Sequence, residues 1–173
     1  MCRKILSVLT ILSFWACSKD STSPPNNDGQ ELLYDIGADH YSYKGGAPDP
    51  NFTPGVFAWR SDTGHYYTFS GFMDIGNYAH IVIRTDSLQA TTYVFDNSNC
   101  CITAMQLRAK GESYTSIAIN DVFSITITSY NNGIVEGTFS GTAHSDRSPN
   151  DPNYQEPVTV SNGKIIHAVM HYY

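Results

Sequence analysis

Cysteine is scarce in this chain and badly spaced for cross-linking. There are four cysteines, two within the first 17 residues and two adjacent, Cys100 and Cys101. Neighbouring strand residues point to opposite faces, so this pair offers a strained vicinal disulfide or one buried and one exposed thiol. A spaced disulfide framework is excluded, and so is a C-x-x-C zinc site. Positive charge is also short. Lys and Arg number 10 against 16 Asp and Glu, for a formal charge of -6. Such a balance lacks the basic footprint of a nucleic-acid-binding protein. No Gly-x-Ser-x-Gly elbow occurs, and Glu31, Glu112, Glu136 and Glu156 show no spacing of an acid/base pair. No catalytic residue and no cofactor are therefore expected, and the chain is not read as an enzyme. Long hydrophobic runs are missing too. The apolar stretch Ile5–Ala16 covers 12 residues, whereas a membrane-spanning helix needs roughly 17–25.

What the N-terminus does have is an order. Arg3 and Lys4 precede the apolar stretch, which ends Leu12-Ser13-Phe14-Trp15-Ala16 before Cys17. A basic segment, a short apolar segment and a small residue at the cleavage point read as an export signal. The stretch resembles a bacterial lipobox, in which cleavage precedes the cysteine and the cysteine carries acyl chains. Ala16 fits that pattern; Phe14 and Trp15 are bulkier than its usual residues. Residues 1–16 are thus expected to be a lipoprotein signal peptide and Cys17 the lipidation site. Acyl chains contribute about 0.8 kcal/mol per buried CH₂, so a multiply acylated cysteine is a stable membrane anchor. Residues 18–30 are polar apart from Pro24 and Pro25. Such a segment buries too little to offset chain ordering, so residues 17–30 are expected to form a flexible tether. The expected location is the outer membrane, at the cell surface or on its periplasmic face.

Residues 31–173 are expected to form one all-β domain. Helical periodicity is scarce there and period-two alternation is common. Phe123, Ile125 and Ile127 alternate with Ser124, Thr126 and Thr128. Asn131-Asn132-Gly133 supplies a hairpin turn, and the return strand puts Val135, Gly137, Phe139, Gly141 and Ala143 on one face. A second hairpin is expected at Ser161-Asn162-Gly163, between Val158–Val160 and Lys164–Tyr172. Further strands are predicted at 32–36, 40–43, 56–60, 65–72, 79–84, 91–95, 102–109 and 113–117. About a dozen short strands point to an antiparallel β-sandwich, or alternatively a closed or partly open barrel.

The C-terminal half carries Gly137-Thr138-Phe139-Ser140-Gly141-Thr142-Ala143 and Val158-Thr159-Val160-Ser161-Asn162-Gly163-Lys164. This pattern resembles small Bacteroidetes-type envelope lipoproteins of unknown function. The resemblance implies an envelope location and a β architecture, and brings no activity or catalytic residue with it.

Among the six histidines, His167 and His171 are expected on one strand face with Ile165 and Val169. Four residues separate them by about 13 Å, too far to share one metal. His65 is expected beside Tyr67 and Phe69, and His80 on a polar face with Tyr78 and Arg84. The loop 144–153 is rich in oxygen ligands. Asp146, Asn150, Asp151 and Asn153 are its weak calcium candidates, although hard cations want 6–8 oxygens and this loop lacks EF-hand spacing. The stronger lead is the aromatic load of 12 Tyr, 8 Phe and 2 Trp. Tyr66, Tyr78, Tyr130 and Tyr154 fall at polar-looking positions, where a ring joined to a polar tip suits a sugar or a protein partner. The expected function is non-enzymatic binding of a glycan or an envelope protein. A structural or assembly subunit and, last, a small hydrolase are the alternatives.

Overall fold

The computed structural model describes residues 29–45, 55–61, 63, 65–74, 77–96, 99–100, 102–109, 112–115, 122–145, 147, 150–152 and 156–172. The described residues contain strands and no helix. In chain order the strands are β1 (Glu31–Ile36), β2 (Asp39–Lys44), β3 (Gly55–Arg60), β4 (Tyr66–Asp74), β5 (Asn77–Arg84) and β6 (Thr92–Asp96). They continue with β7 (Asn99–Cys100), β8 (Ile102–Ala109), β9 (Glu112–Thr115), β10 (Phe123–Asn131), β11 (Ile134–Ser145) and β12 (Val158–Tyr172).

The alternation in the sequence decides which face of each strand turns inward. Phe123, Ile125 and Ile127 of β10 are buried, as are Val135, Phe139 and Ala143 of β11. Leu32 and Tyr34 do the same for β1, and Ile81 and Ile83 for β5. One buried face per strand sorts the chain into two layers. The first sheet runs β2-β1-β12-β11-β10-β6-β7, and the second runs β3-β4-β5-β8-β9. The ends of the two longest strands join them. His144 and Ser145 of β11 pair with β9, while Met170, His171 and Tyr172 of β12 pair with β3. The architecture is all-β: the two runs share β11 and β12, so the twelve strands make one continuous hydrogen-bonded sheet folded into two layers.

All but one of these pairs are antiparallel; β12 and β3 run parallel. Neighbours joined by a hairpin, such as β10 and β11, are antiparallel because the turn reverses the chain. No turn connects residues 55–60 to residues 170–172, so their direction is set by where the chain crosses between layers.

The hairpin at Asn132-Gly133 forms as expected, with both residues at positive φ (50° and 78°). The expected second hairpin does not form. Val158–Tyr172 is one continuous strand, and Asn162, at φ 53°, makes a bulge within it. Both neighbours register the same extra residue: Leu33 and Asp35 of β1 face Lys164 and Ser161, while Phe139 and Gly141 of β11 face Gly163 and Val160. Positive φ serves a bulge as well as a turn, and here strands on both sides hold the residues in the ladder. Gly163 is required for want of space rather than for its φ. A Cβ there would lie 2.3 Å from the Phe139 carbonyl oxygen.

A second bulge follows at His167, φ 50°, where Val135 and Gly137 face Ala168 and Ile165. The extra residue switches the alternation, so Ile165 and Ala168 both turn inward. This corrects the expectation that Ile165, His167, Val169 and His171 all share one face: the bulge parts Ile165 from Val169 and His171, which alternate together beyond it. Side chains replace the interrupted ladder. The His167 N–H donates to Glu136 Oε1 at 3.1 Å, and the Val169 N–H donates to Gln30 Oε1 at 2.9 Å. Gln30, grouped with the tether on composition, is buried in this role.

The layers meet over an aromatic core. Tyr34 stacks on Tyr41 with ring centroids 5.1 Å apart, and its hydroxyl pairs with that of Tyr43 at 3.0 Å. Burial and the neighbouring tyrosines hold the Tyr34 hydroxyl protonated far above the ordinary phenol range. Tyr43 of β2 lies against Gly71 of β4, where a Cβ would come within 2.4 Å of the ring. This contact seats the first sheet on the second.

Candidate binding face on the second sheet

The strands bury their inner faces, so any binding surface must come from outward side chains, ends or loops. The two outer faces differ sharply. Along the first sheet, register aligns Leu33, Lys164, Thr138, Thr126 and Thr92 in one outward row. Thr92 and Thr126 share a hydrogen bond at 2.8 Å. Beside them Asp35 bonds His40 at 2.6 Å and Asn162 at 2.7 Å, and Glu31 bonds Ser42 at 2.6 Å and Lys44 at 3.3 Å. The Asn162 amide, then His40, hold the Asp35 carboxyl below its ordinary pKa. The Ser42 hydroxyl, ahead of Lys44, does the same for Glu31. This is a solvated face whose polar groups already satisfy one another.

The second sheet turns aromatics outward. Its small residues go inside: Val56 and Ala58 of β3 are buried, which leaves Phe57 and Trp59 on the outer side. Register then builds rows across the sheet. Phe57 aligns with Ser70, His80, Gln106 and Thr115. Trp59 aligns with Thr68 and Val82, and Phe72 with Tyr78, Arg108 and Ser113. Tyr66 and Arg84 pair at the other end, the guanidinium 6.0 Å from the ring centroid. Phe57, Trp59, Phe72 and Tyr78 are all half-buried.

At the centre of this face the Ser70 hydroxyl and His80 Nδ1 are 2.7 Å apart, and Trp59 tilts over the imidazole at 5.8 Å between centroids. Desolvation pushes the His80 pKa below its ordinary value, so the ring is neutral near pH 7. A neutral imidazole bonded to a hydroxyl is a directional hydrogen-bonding group. It also resembles part of a nucleophile–base set, but that chemistry needs a group to orient the histidine and donors for an oxyanion. The backbone N–H groups around Ser70 lie in a sheet paired on both sides, with β3 and with β5. The arrangement suits binding: flat rings, a central polar pair and two guanidiniums.

Comparison with protein-family models, with curated proteins and with solved structures finds no match.

The residues singled out from the sequence scatter over the molecule. Tyr66 and Tyr78 lie on the aromatic face, six residues apart in register and so about 20 Å along it. Tyr130 sits elsewhere, its hydroxyl 2.9 Å from that of Tyr172. Burial, with help from Tyr172, raises the Tyr130 pKa to about 12. Tyr154, Cys17, Asp146 and Asn153 lie outside the described residues, as does the side-chain state of Cys100 and Cys101. Of the calcium candidates, Asn150 is exposed and Asp151 faces the Arg147 guanidinium at 3.9 Å. Among the described residues no three His, Cys, Asp or Glu side chains gather as a metal site. His65 is exposed and pairs with Asp86 at 2.6 Å, away from buried Tyr67 and Phe69. His80, Tyr78 and Arg84 do share one face. Phe57 and Trp59 were missed as site residues. The signal was present in the alternation Val56-Phe57-Ala58-Trp59, because the smaller pair fits a tight core and the larger pair is then displayed.

Proposed function

We propose that this chain is an envelope lipoprotein, anchored in the outer membrane through acylated Cys17, whose β domain binds glycan without chemical turnover. The outer face of β3, β4, β5, β8 and β9 is the binding surface. One observation carries this reading: Phe57 and Trp59 are turned outward beside the Ser70–His80 pair, although their small neighbours Val56 and Ala58 are buried. A sugar ring presents an apolar C–H face and a polar hydroxyl rim. Flat aromatic rings take the first, and directional polar groups at their edge take the second. The lipobox-like segment before Cys17 supports the anchor, and the polar stretch after it gives the domain reach from the membrane.

The test is a glycan array probed with the detergent-solubilised full chain, run beside a pull-down from envelope extract. Binding to a defined glycan set is expected. Trp59→Ala should weaken it by about tenfold or more, a loss of at least ~1.4 kcal/mol, while the thermal midpoint stays close to that of the parent. A blank array together with a stoichiometric protein partner would end the glycan reading.

A further inference from the structure

Among the described residues, the aromatic face displays cations on outward strand positions that carry no acid. The chain carries 16 Asp and Glu against 10 Lys and Arg. On the outward positions of β3, β4, β5, β8 and β9, the described side chains include Arg84 and Arg108 and neither Asp nor Glu. Two acids at its rim are already engaged. Asp86, just past β5, pairs with His65 at 2.6 Å, and Glu112, at the start of β9, pairs with Arg147 at 3.2 Å.

The cations keep hydrogen-bonding capacity. Arg84 is exposed and lies over the Tyr66 ring. Arg108 is half-buried, and its Nε–H is buried with no hydrogen-bond partner. One strand away on the same face, Thr115 Oγ is likewise buried and unpartnered. Both are polar atoms with no protein partner, so this corner of the face holds hydrogen-bonding groups that no neighbour has taken up. Guanidinium is the side chain best matched to a carboxylate, through paired N–H···O bonds.

Resting on the glycan reading above, we infer that the ligand is an anionic saccharide, a chain whose sugars carry carboxylates. Arg84 and Arg108 mark the two ends of the aromatic face, about 20 Å apart along β5. Trp59, Phe57 and the Ser70–His80 pair lie between them. That layout takes an oligosaccharide laid along the strands, its rings on the aromatics and its carboxylates at the two arginines. The long-range field of the chain opposes such a ligand, so recognition is local: close, partly desolvated contacts that outweigh a screened repulsion.

The experiment measures binding of the detergent-solubilised full chain to a panel of uronate-containing oligosaccharides and to the same oligosaccharides after carboxyl reduction. The expected result is binding to one or more uronate forms, with affinity about tenfold or more lower for the reduced partner. The double variant R84Q/R108Q should erase that difference. R84Q alone, at an exposed position, should remove part of it. Equal affinity for the uronate and reduced forms overturns this inference and leaves the glycan reading standing. A uronate preference unmoved by R84Q/R108Q or by Trp59→Ala also overturns it, because the acid is then read elsewhere. No binding to any saccharide on the panel or the array removes both.

Discussion

Two side chains, Gln30 and His80, owe their roles to surroundings that the tertiary fold supplies. Gln30 gives its amide oxygen to the Val169 N–H at 2.9 Å, within a buried stretch of β12. Gln30→Ala strands that donor. Urea unfolding should show a loss of about 1–3 kcal/mol, and a chain starting at residue 31 should show the same deficit. His80 sets a pH dependence. Burial lowers its folded pKa below the ordinary 6.5, so the unfolded chain takes up its proton first as pH falls. The stabilisation from keeping the ring neutral is therefore complete above 6.5. It is lost as pH drops from there through the lowered folded value. His171, also lowered by burial, adds in the same direction. The thermal midpoint should fall on acidification below pH 6.5, less steeply in His80→Gln, with the His80 imidazole titrating below the ordinary range by NMR. Nothing in the local sequence marks either role. Gln30 sits in a polar stretch, and only the bulge opposite explains its burial.

At the scale of the element, β12 is the instructive strand. Asn162-Gly163 has the sequence of a hairpin turn and the conformation of a bulge. The same positive φ satisfies both, and the choice falls to the partners: β1 and β11 flank residues 160–165 on both sides. Asn162→Gly should be nearly neutral, since glycine adopts positive φ freely. Asn162→Ala should cost about 1–2 kcal/mol. Deleting Asn162 should be far worse than either. It removes the extra residue, and every later side chain of β12 moves to the opposite face relative to Val158–Val160. Denaturation of the three variants side by side orders them. The strands themselves were legible in the sequence, because apolar alternation carries their burial directly. The Phe123–Ile127 and Val135–Ala143 faces fall as the alternation requires. The bulges were not legible, because they depend on what lies alongside.

At the scale of the whole molecule, two sheets are held together by β11 and β12 and by the seat of Tyr43 on Gly71. That seat allows no side chain. Gly71→Ala should force the ring and β2 outward, at about 1–3 kcal/mol for overpacking, measured as a drop in thermal midpoint. The stacking also separates the molecule's two outer surfaces. One is a polar face whose hydrogen bonds close on themselves. The other is aromatic and cationic, with Arg108 and Thr115 unpartnered. Tyr66 and Tyr78, named on composition alone, reach that second face. Phe57 and Trp59, which give it its character, were hidden because an aromatic in a strand reads by default as core.

The sequence by itself determined the all-β class, nearly every strand, the inward faces and the first hairpin, since these follow from side-chain alternation and from the backbone freedom of glycine and asparagine. Only the tertiary structure decided the parallel β12–β3 pair, the two bulges, the role of Gln30 and the gathering of Trp59, Ser70, His80 and Arg108 on one face. These depend on pairings between residues far apart in the chain. Such pairings are set by layer packing and register, and no local pattern encodes them.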